Sequence, residues 1–407
     1  MSDHRIPAVD GVRAIALLGI LLMNIEFFYT PLSGVGKGVL VQSDRLWAFL
    51  SHIFIHGKFW SLFSVLFGAG LVWAGKKASE EKQLARLIVL MFFGALHCFI
   101  WPGDILTSYA VAGILTLSIL LTKPWYLLGL CAGLFLCSLA VSNIQPLWVL
   151  VGLVLLYVVA WVPKTPKARM YTGLCLWASS PVLSFVGSLF VTQNAYKKMW
   201  EDFGLNWKIQ EQILISPSFI DNLSFNITTW QEKMLFSPMQ VLMITGCMLF
   251  GASLAQQGFL LKENAPKLIK HLWWSLPLTL ISVWQAPAWT EDNGHVFYAF
   301  SSLFEVGQLG QALGYLGLLL VLFYKHTPSF LATSGKCSLS VYVAQSLIGV
   351  ILFQWAFVHI SYSQALLLSV AVWLALVVGF HYYTQRFPSP LEYIWRRAVD
   401  FLINGKT

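Results

Sequence analysis

An all-α, polytopic bundle of transmembrane helices is the fold class this sequence predicts, and three observations predict it. Of the 407 residues, 57% are hydrophobic and 11% are charged, whereas a soluble domain carries about a quarter charged residues. Apolar runs of roughly 18 residues or more recur along the whole length, each long enough to cross a bilayer as a helix. The sparse Lys and Arg residues gather in joints between these runs, as the positive-inside bias requires. A large soluble α-solenoid would need charged outer faces that this composition does not supply. The formal charge of +8 belongs to the same loop cations. No basic and aromatic interleaving suggests a strand-binding groove, so the bilayer is the expected partner and nucleic acid is not.

The runs fall near residues 10–30, 57–75, 84–101, 104–122, 125–142, 146–162, 171–191, 236–256, 271–288, 303–323, 338–357 and 363–384. About twelve spans result, or ten if the runs either side of Ser142-Asn143-Ile144-Gln145 form a hairpin that does not cross fully. With the N-terminus in the cytoplasm, Arg13, Lys76, Lys77, Lys123, Lys164, Lys262, Lys325, Lys336, Arg396 and Arg397 all face inward. Asp104, Glu291, Asp292 and His295 face outward. The exceptions, Lys197, Lys198 and Lys208, sit in a long loop, where the bias acts less strictly. Both termini are therefore expected in the cytoplasm. The first run has no cleavage signal after it and reads as a retained span.

The linear organisation is a membrane half over 1–191, a long extracytoplasmic loop over 192–235, a second membrane half over 236–386 and a cytoplasmic tail over 387–407. Within the first half, residues 43–56 carry Ser43 or Asp44 as a cap and apolar residues at helical spacing, which predicts a short helix at the outer interface. Trp200, Trp207 and Trp230 in the long loop suit the headgroup level. The tail, FPSPLEYIWRRAVDFLING, mixes aromatics with Arg396 and Arg397 and reads as an interfacial amphipathic helix.

Six cysteines, Cys98, Cys131, Cys137, Cys175, Cys247 and Cys337, lie in or beside apolar runs without a CxxC pair, so they read as buried, inert thiols. The polar residues inside the runs carry the functional argument, because ionisable groups in hydrocarbon are costly. Asp10 and Arg13 are spaced i, i+3 and pair on one helix face; either they anchor the span, or Arg13 presents its fork to a phosphate or carboxylate. Asn24 lies about four turns further along and is suited to bonding across helices. His52 and His56 stand at i, i+4 without a matching carboxylate, so no metal is expected, and His56 is a candidate general base. The stretch GKFWSLFSVLFGAG (57–70) reads as a close-packing surface, with a substrate wall as its second use.

The segment ARLIVLMFFGALHCFIWPGDILTSYAVAGIL (85–115) joins two apolar runs through a Trp-Pro-Gly-Asp corner. His97 precedes the corner and Asp104 ends it, so the carboxylate is positioned to orient the imidazole; a structural pair that fixes the hairpin is the competing reading. Tyr109 follows on the same hairpin. Glu305 is an ionisable residue in an apolar setting. In SGKCSLSVYVAQSLIG (334–349), Ser334 is expected to cap a helix whose free amides, with Lys336 beside them, form an anion site. Tyr342 and Gln345 then face the same cavity.

Taken together, the first-span residues Asp10, Arg13 and Asn24, the 57–70 stretch, the GALHCFIWPGDILTSYAVAG hairpin, the SLSVYVAQS block and the FPSPLEYIWRR tail resemble the YeiB, or DUF418, family of bacterial inner-membrane proteins. Ala14 stands where that family usually has Gly, and Ser389 where it has Gly before Pro-Leu-Glu. The family is in turn distantly similar to transmembrane acyltransferases of the lysosomal heparan-glucosaminide acetyltransferase type. That resemblance implies residence in the inner membrane and transfer of an acyl group from cytosolic acyl-CoA to an extracytoplasmic small-molecule or lipid acceptor. Acyl-CoA would be a co-substrate, with no permanently bound cofactor. That similarity covers mainly Asp10, Arg13 and Asn24; on the acyl-transfer reading, the residues themselves make His97, Asp104 and His56 the candidates for catalysis, Asp10, Arg13, Lys76 and Lys336 those for donor binding, and Asn24, Tyr109, Glu305, Tyr342 and Gln345 those for substrate binding. The competing reading is export of a small anionic or amphipathic metabolite along the same polar residues. A second copy of the chain is admitted as a partner.

Overall fold

The computed structural model describes residues 6–29, 45–140, 147–161, 164–190, 219–236, 238–284, 294–355 and 360–405. Among them the regular structure is helical throughout, with no strand. The helices are α1 Pro7–Tyr29, α2 Arg45–Phe54, α3 Lys58–Gly75, α4 Glu80–His97, α5 Leu106–Leu121, α6 Pro124–Ala140, α7 Leu147–Trp161 and α8 Pro166–Ser188. They continue as α9 Phe219–Phe236, α10 Pro238–Gln256, α11 Pro266–Ile269, α12 Leu272–Trp284, α13 Gly294–Lys325, α14 Ser329–Lys336, α15 Ser338–Val350, α16 Tyr362–Tyr383 and α17 Pro390–Asn404. A π turn, Ile351–Trp355, follows α15.

Local chemistry explains where the helices begin. Six of them start at a proline: Pro7, Pro124, Pro166, Pro238, Pro266 and Pro390. Its fixed φ suits the first helical position, and its missing N–H has no intrahelical partner there anyway. Ser79 caps α4 by accepting from the Lys82 N–H, with Glu80 and Glu81 in the first turn. A complete capping box of Ser361 and Gln364 opens α16.

Five helical stretches are long and apolar enough to cross a membrane: 7–25, 46–75, 238–256, 302–325 and 362–383. A sixth arises if α14 and the 338–353 segment, bent by 87° at Cys337, count as one broken span. Three shorter apolar helices, Leu106–Leu121, Pro124–Leu136 and Val149–Trp161, accompany them. The chain is thus a helical membrane protein, with fewer full-length spans among the described residues than the ten to twelve expected. The short outer helix predicted near 43–56 exists as α2, but it does not stand apart. It runs through a break at residues 55–57 into α3, and 46–75 is one apolar stretch of 30 residues. Ser43 and Asp44, the loop residues Lys197, Lys198, Trp200, Trp207 and Lys208, and Glu291 and Asp292 lie outside the described residues.

The chain divides into two compact units. The first comprises 1–62, 181–225 and 261–390, and the second 63–180, 226–260 and 391–407. In the first, α1 packs against α13, α14, α15 and α16, and α12 lies along α13. The indole N–H of Trp373 donates to the carbonyl of Ala14 at 3.0 Å. In the second, α5 is covered by α4, α6, α7 and α10, around a cluster of Leu71, Leu87, Ile114 and Leu117. The tail helix α17 docks there by burying Val399 against Ala85 and Val89. Its Trp395 donates to the carbonyl of Arg86, while Ile394, Phe401 and Leu402 stay exposed. Lys123 bonds Glu80, and that hydrogen bond raises the lysine pKa above its ordinary value.

Helix contact in the second unit depends on glycine. A Cβ on Gly68 would lie 1.8 Å from the carbonyl oxygen of Met248, so Gly68→Ala forces α3 and α10 apart. We expect a loss of about 1–3 kcal/mol, read as a lower melting temperature of the purified protein in detergent. Gly129→Ala on α6, where a Cβ meets nothing within 4 Å, is expected to be neutral or to stabilise by up to about 1 kcal/mol through helix propensity.

Candidate functional site

In the first unit the polar residues collect at the break between α2 and α3. A helix end leaves its last carbonyls without intrahelical partners, and hydrocarbon offers none. Here three side chains supply donors. Lys58 donates to the carbonyl of His52, Gln311 to that of Ile53 at 3.0 Å, and Tyr315 to that of Phe54 at 3.2 Å. The carbonyl of Gln311 in turn accepts from Thr279 at 2.9 Å, tying in α12. Lys58 is 0% exposed, and its Nζ also lies 4.3 Å from the centre of the Phe304 ring. Gly57 makes the turn with φ +78°, and a Cβ there would strike the Gln308 side chain.

The rings of His52 and His56 stack at this break, 4.2 Å apart and 13° from parallel. His56 is buried, and His52 Nδ1 lies 3.1 Å from the carbonyl oxygen of Ala48. Glu305 follows Phe304 on α13 and precedes Gln308, so it belongs to the same region. The position of the break along α1 follows from packing. A Cβ on Gly19 would fall 2.0 Å from the Phe59 ring, so the start of α3 lies against the middle of α1. The histidines thus sit at a break within the apolar stretch 46–75.

The predicted donor-binding residues of this unit gather at the opposite end of that contact. Arg13 pairs with the buried carboxylate of Asp10 at 3.0 Å. Gly335 packs on Asp10 so closely that a Cβ would be 1.9 Å from its carbonyl oxygen, and Lys336, next in sequence, is exposed. Ser334 corrects the expectation. It lies within α14, where its hydroxyl donates to Phe330 and Val377 carbonyls, and it caps nothing. The break falls at Cys337, so the helix that carries Tyr342 and Gln345 begins at Ser338 without a side-chain cap. Ser389 places its hydroxyl 3.0 Å from that of Ser340. Along α15, Tyr342 and Gln345 are buried, as is Asn24 on α1.

In the second unit the hairpin corner is a closed knot. His97 Nδ1 and Asp104 Oδ1 are 3.0 Å apart, and Asp104 is 0% exposed. The same carboxylate accepts from the backbone N–H of Leu106 and Thr107 and from the Thr107 hydroxyl. It thus serves as the N-terminal cap of α5 while holding the imidazole on α4. Gly94 allows this approach, since a Cβ would lie 2.3 Å from Thr107 Oγ1 and 2.9 Å from Asp104 Oδ2. Asn226 of α9 closes the corner by donating to the carbonyls of Phe99 and Ile100 at 3.2 and 3.4 Å. Tyr109 is buried between Phe63 and Phe67, stacked on the latter, and is hydrogen-bonded with Ser64. Lys76 is exposed in the turn after α3, in this unit and not in the one that holds Arg13 and Lys336.

Sequence reasoning missed Lys58, Gln311, Tyr315 and Asn226. The signal for Lys58 was present: a lone ammonium beside His-Gly within an apolar stretch. Asn226 gave none, because only the fold carries α9 to the corner. Among the described residues, no group of three or more His, Cys, Asp or Glu side chains is placed to hold a metal ion.

Comparison with known proteins places this architecture. The family model DUF418, described as a protein of unknown function, matches residues 254–401. The chain is 26% identical over 425 aligned residues to the uncharacterized protein YeiB of Escherichia coli, covering 97% of this chain and 96% of the relative. It is 35% identical to the uncharacterized protein YxaH of Bacillus subtilis over 151 residues, 33% of this chain and 38% of that protein. A 39.9 kDa protein from the amylase 3′ region of Bacillus acidopullulyticus is 35% identical over 121 residues, 28% of this chain and 34% of its own length. No solved structure matches the chain.

The four donors converging on Asp104 predict its variants. Asp104→Ala leaves a buried imidazole and two backbone N–H groups without their acceptor and is expected to cost about 3–5 kcal/mol. Asp104→Asn keeps one acceptor oxygen and should cost about 1–3 kcal/mol. Thermal unfolding in detergent measures both, and a coupling of about 0.5–3 kcal/mol with His97→Ala is expected from a double-mutant cycle.

Proposed function

The chain belongs to the YeiB/DUF418 family, and on that premise we propose that it is a membrane-embedded acyltransferase that moves an acyl group from acyl-CoA to a hydroxyl or amine acceptor. One observation carries the proposal. The Asp10–Arg13 pair and the Gly19–Phe59 contact lie on the same helix, and Arg13 and Gly19 are six residues apart, about 9 Å along the axis. A cation-bearing end and a histidine-bearing break are thus joined along α1 within one unit, and a bilayer thickness need not separate donor phosphates from base.

In this reading Arg13 and Lys336 hold the donor's phosphates, Arg13 through its planar fork, while Asp10 keeps the guanidinium in place. His56 accepts the proton of the acceptor's hydroxyl or amine as that group attacks the thioester carbon. The new C–O or C–N bond forms, the C–S bond breaks, and the proton passes from His56 to the leaving thiolate. Stacking on His52 orients the ring. His97, oriented by Asp104, is the second candidate base, and its assignment rests on the dyad geometry. The inner membrane is the proposed location, with both termini cytoplasmic.

Solute transport is the second reading, favoured by the 87° break between α14 and α15 and the π turn that follows α15. Discontinuous helices of this kind form substrate sites in many transporters.

Binding of acetyl-CoA to the protein in lipid nanodiscs, followed by calorimetry, tests the proposal. Arg13→Ala and Lys336→Ala are each expected to weaken binding by about tenfold or more, the worth of a charge-assisted hydrogen bond. His56→Ala should leave binding intact and slow acyl release by about 10²–10⁴. Absence of acetyl-CoA binding, together with solute counterflow in liposomes, would replace this reading with transport.

A further inference from the structure

We propose that Gln345, with Asn24 and Tyr342 beside it, receives an uncharged amide group of the ligand inside the first unit. The starting point is an anomaly of burial. Gln345 is 2% exposed, and neither its amide nitrogen nor its amide oxygen has a hydrogen-bond partner among the described residues. Buried polar groups in folded proteins are almost always paired, and an unpaired one calls for a reason. A leucine or methionine would occupy the same place without that cost.

The neighbours are fixed by packing. Gly349 of α15 seats against Phe28 of α1, with a would-be Cβ 2.7 Å from the ring. Gln345 lies one turn before Gly349, and Asn24 one turn before Phe28. Residues four apart share a helix face, so the two amide side chains belong to the faces along which α1 and α15 meet. Tyr342 is a further turn back on α15, and all three are buried. The backbone around them is irregular at both ends, with the 87° break at Cys337 and the π turn from Ile351. In a membrane such irregularity is tolerated where it is enclosed by protein or lines a cavity, and π turns concentrate at functional sites.

The chemistry of the ligand group follows from what the site offers. A carboxamide presents one acceptor and a pair of donors. An anion would satisfy only the N–H groups and a cation only the carbonyl. A secondary amide satisfies both, edge to edge. No charged residue occurs in α15 or between Ala14 and Ile25 of α1, which agrees with a neutral group. The inference rests on the acyl-donor reading for the source of that amide. The pantetheine arm of acyl-CoA carries two secondary amides between its phosphates and its thioester. Gln345 lies seven residues beyond Ser338, about 10 Å into α15 from the end that bears Lys336. A free amide-bearing solute shares the chemistry and is the alternative source.

The test uses the full chain in nanodiscs with two probes: coenzyme A, and pantetheine, which keeps the amides and lacks the nucleotide and its phosphates. Wild-type protein should bind both. Gln345→Met should weaken both by about tenfold, the loss of one to two hydrogen bonds, while leaving the melting temperature unchanged or higher. Gln345→Leu is the second variant should the first fail to fold. Arg13→Ala should weaken coenzyme A alone. Undiminished binding of both probes by the Gln345 variants would overturn the amide site and leave the acyl-donor reading standing. Binding of neither probe, with exchange of nicotinamide in liposomes that Gln345→Met abolishes, would keep the amide site and overturn the acyl-donor reading. Neither binding nor exchange would overturn both.

Discussion

A backbone carbonyl or amide inside a membrane must find its partner within the chain, because the surrounding hydrocarbon offers none. Much of the local architecture follows from that constraint. Where helices run unbroken the requirement meets itself through i→i−4 bonds. Where they break, side chains have to intervene, and in this protein they do so by name. The carbonyls of His52, Ile53 and Phe54 take Lys58, Gln311 and Tyr315. The first amides of α5 take Asp104. Each orphan left in place would cost about 1–3 kcal/mol, so these polar residues are as much a part of the fold as the leucines around them.

Burying a lysine for this purpose has a cost of its own. A buried amine without a partner would forfeit its hydrogen bonds to water. Lys58 donates to the His52 carbonyl and lies over the Phe304 ring. The arrangement holds three elements at once, since α2 ends, α3 begins and α13 passes at the same place. A break so fully tied is a rigid place to hold two stacked imidazoles. The His97–Asp104 knot of the second unit follows the same principle with a carboxylate in place of an amine. There the acceptor serves two backbone amides, a hydroxyl and an imidazole together, so its geometry is determined from four directions.

Gln345 stands out against this economy. Lys58, Gln311 and Tyr315 at the α2–α3 break and Asp104 at the hairpin corner have partners, whereas both polar atoms of this buried amide have none among the described residues. That contrast is the ground on which the proposal for Gln345 stands, and residue type alone does not provide it.

Composition and periodicity determined the helical class, the membrane setting and the pairing of His97 with Asp104, because hydropathy and a tight corner are local properties. The Asp10–Arg13 pair was legible for the same reason: i, i+3 on one helix admits few other outcomes. Other features required the tertiary structure. Ser334 looked like a cap, yet it lies inside α14, since the break falls three residues later at Cys337, where the chain turns by 87°. The contact of Phe59 with Gly19, which sets the start of α3 against the middle of α1, had no local signature. Asn226 had no local signature at all and reaches the hairpin corner only because α9 is packed there. The physical reason is common to these cases. The sequence states which polar groups must be satisfied, whereas the partners come from residues as far apart as 53 and 311, and only the packing of helices brings those together.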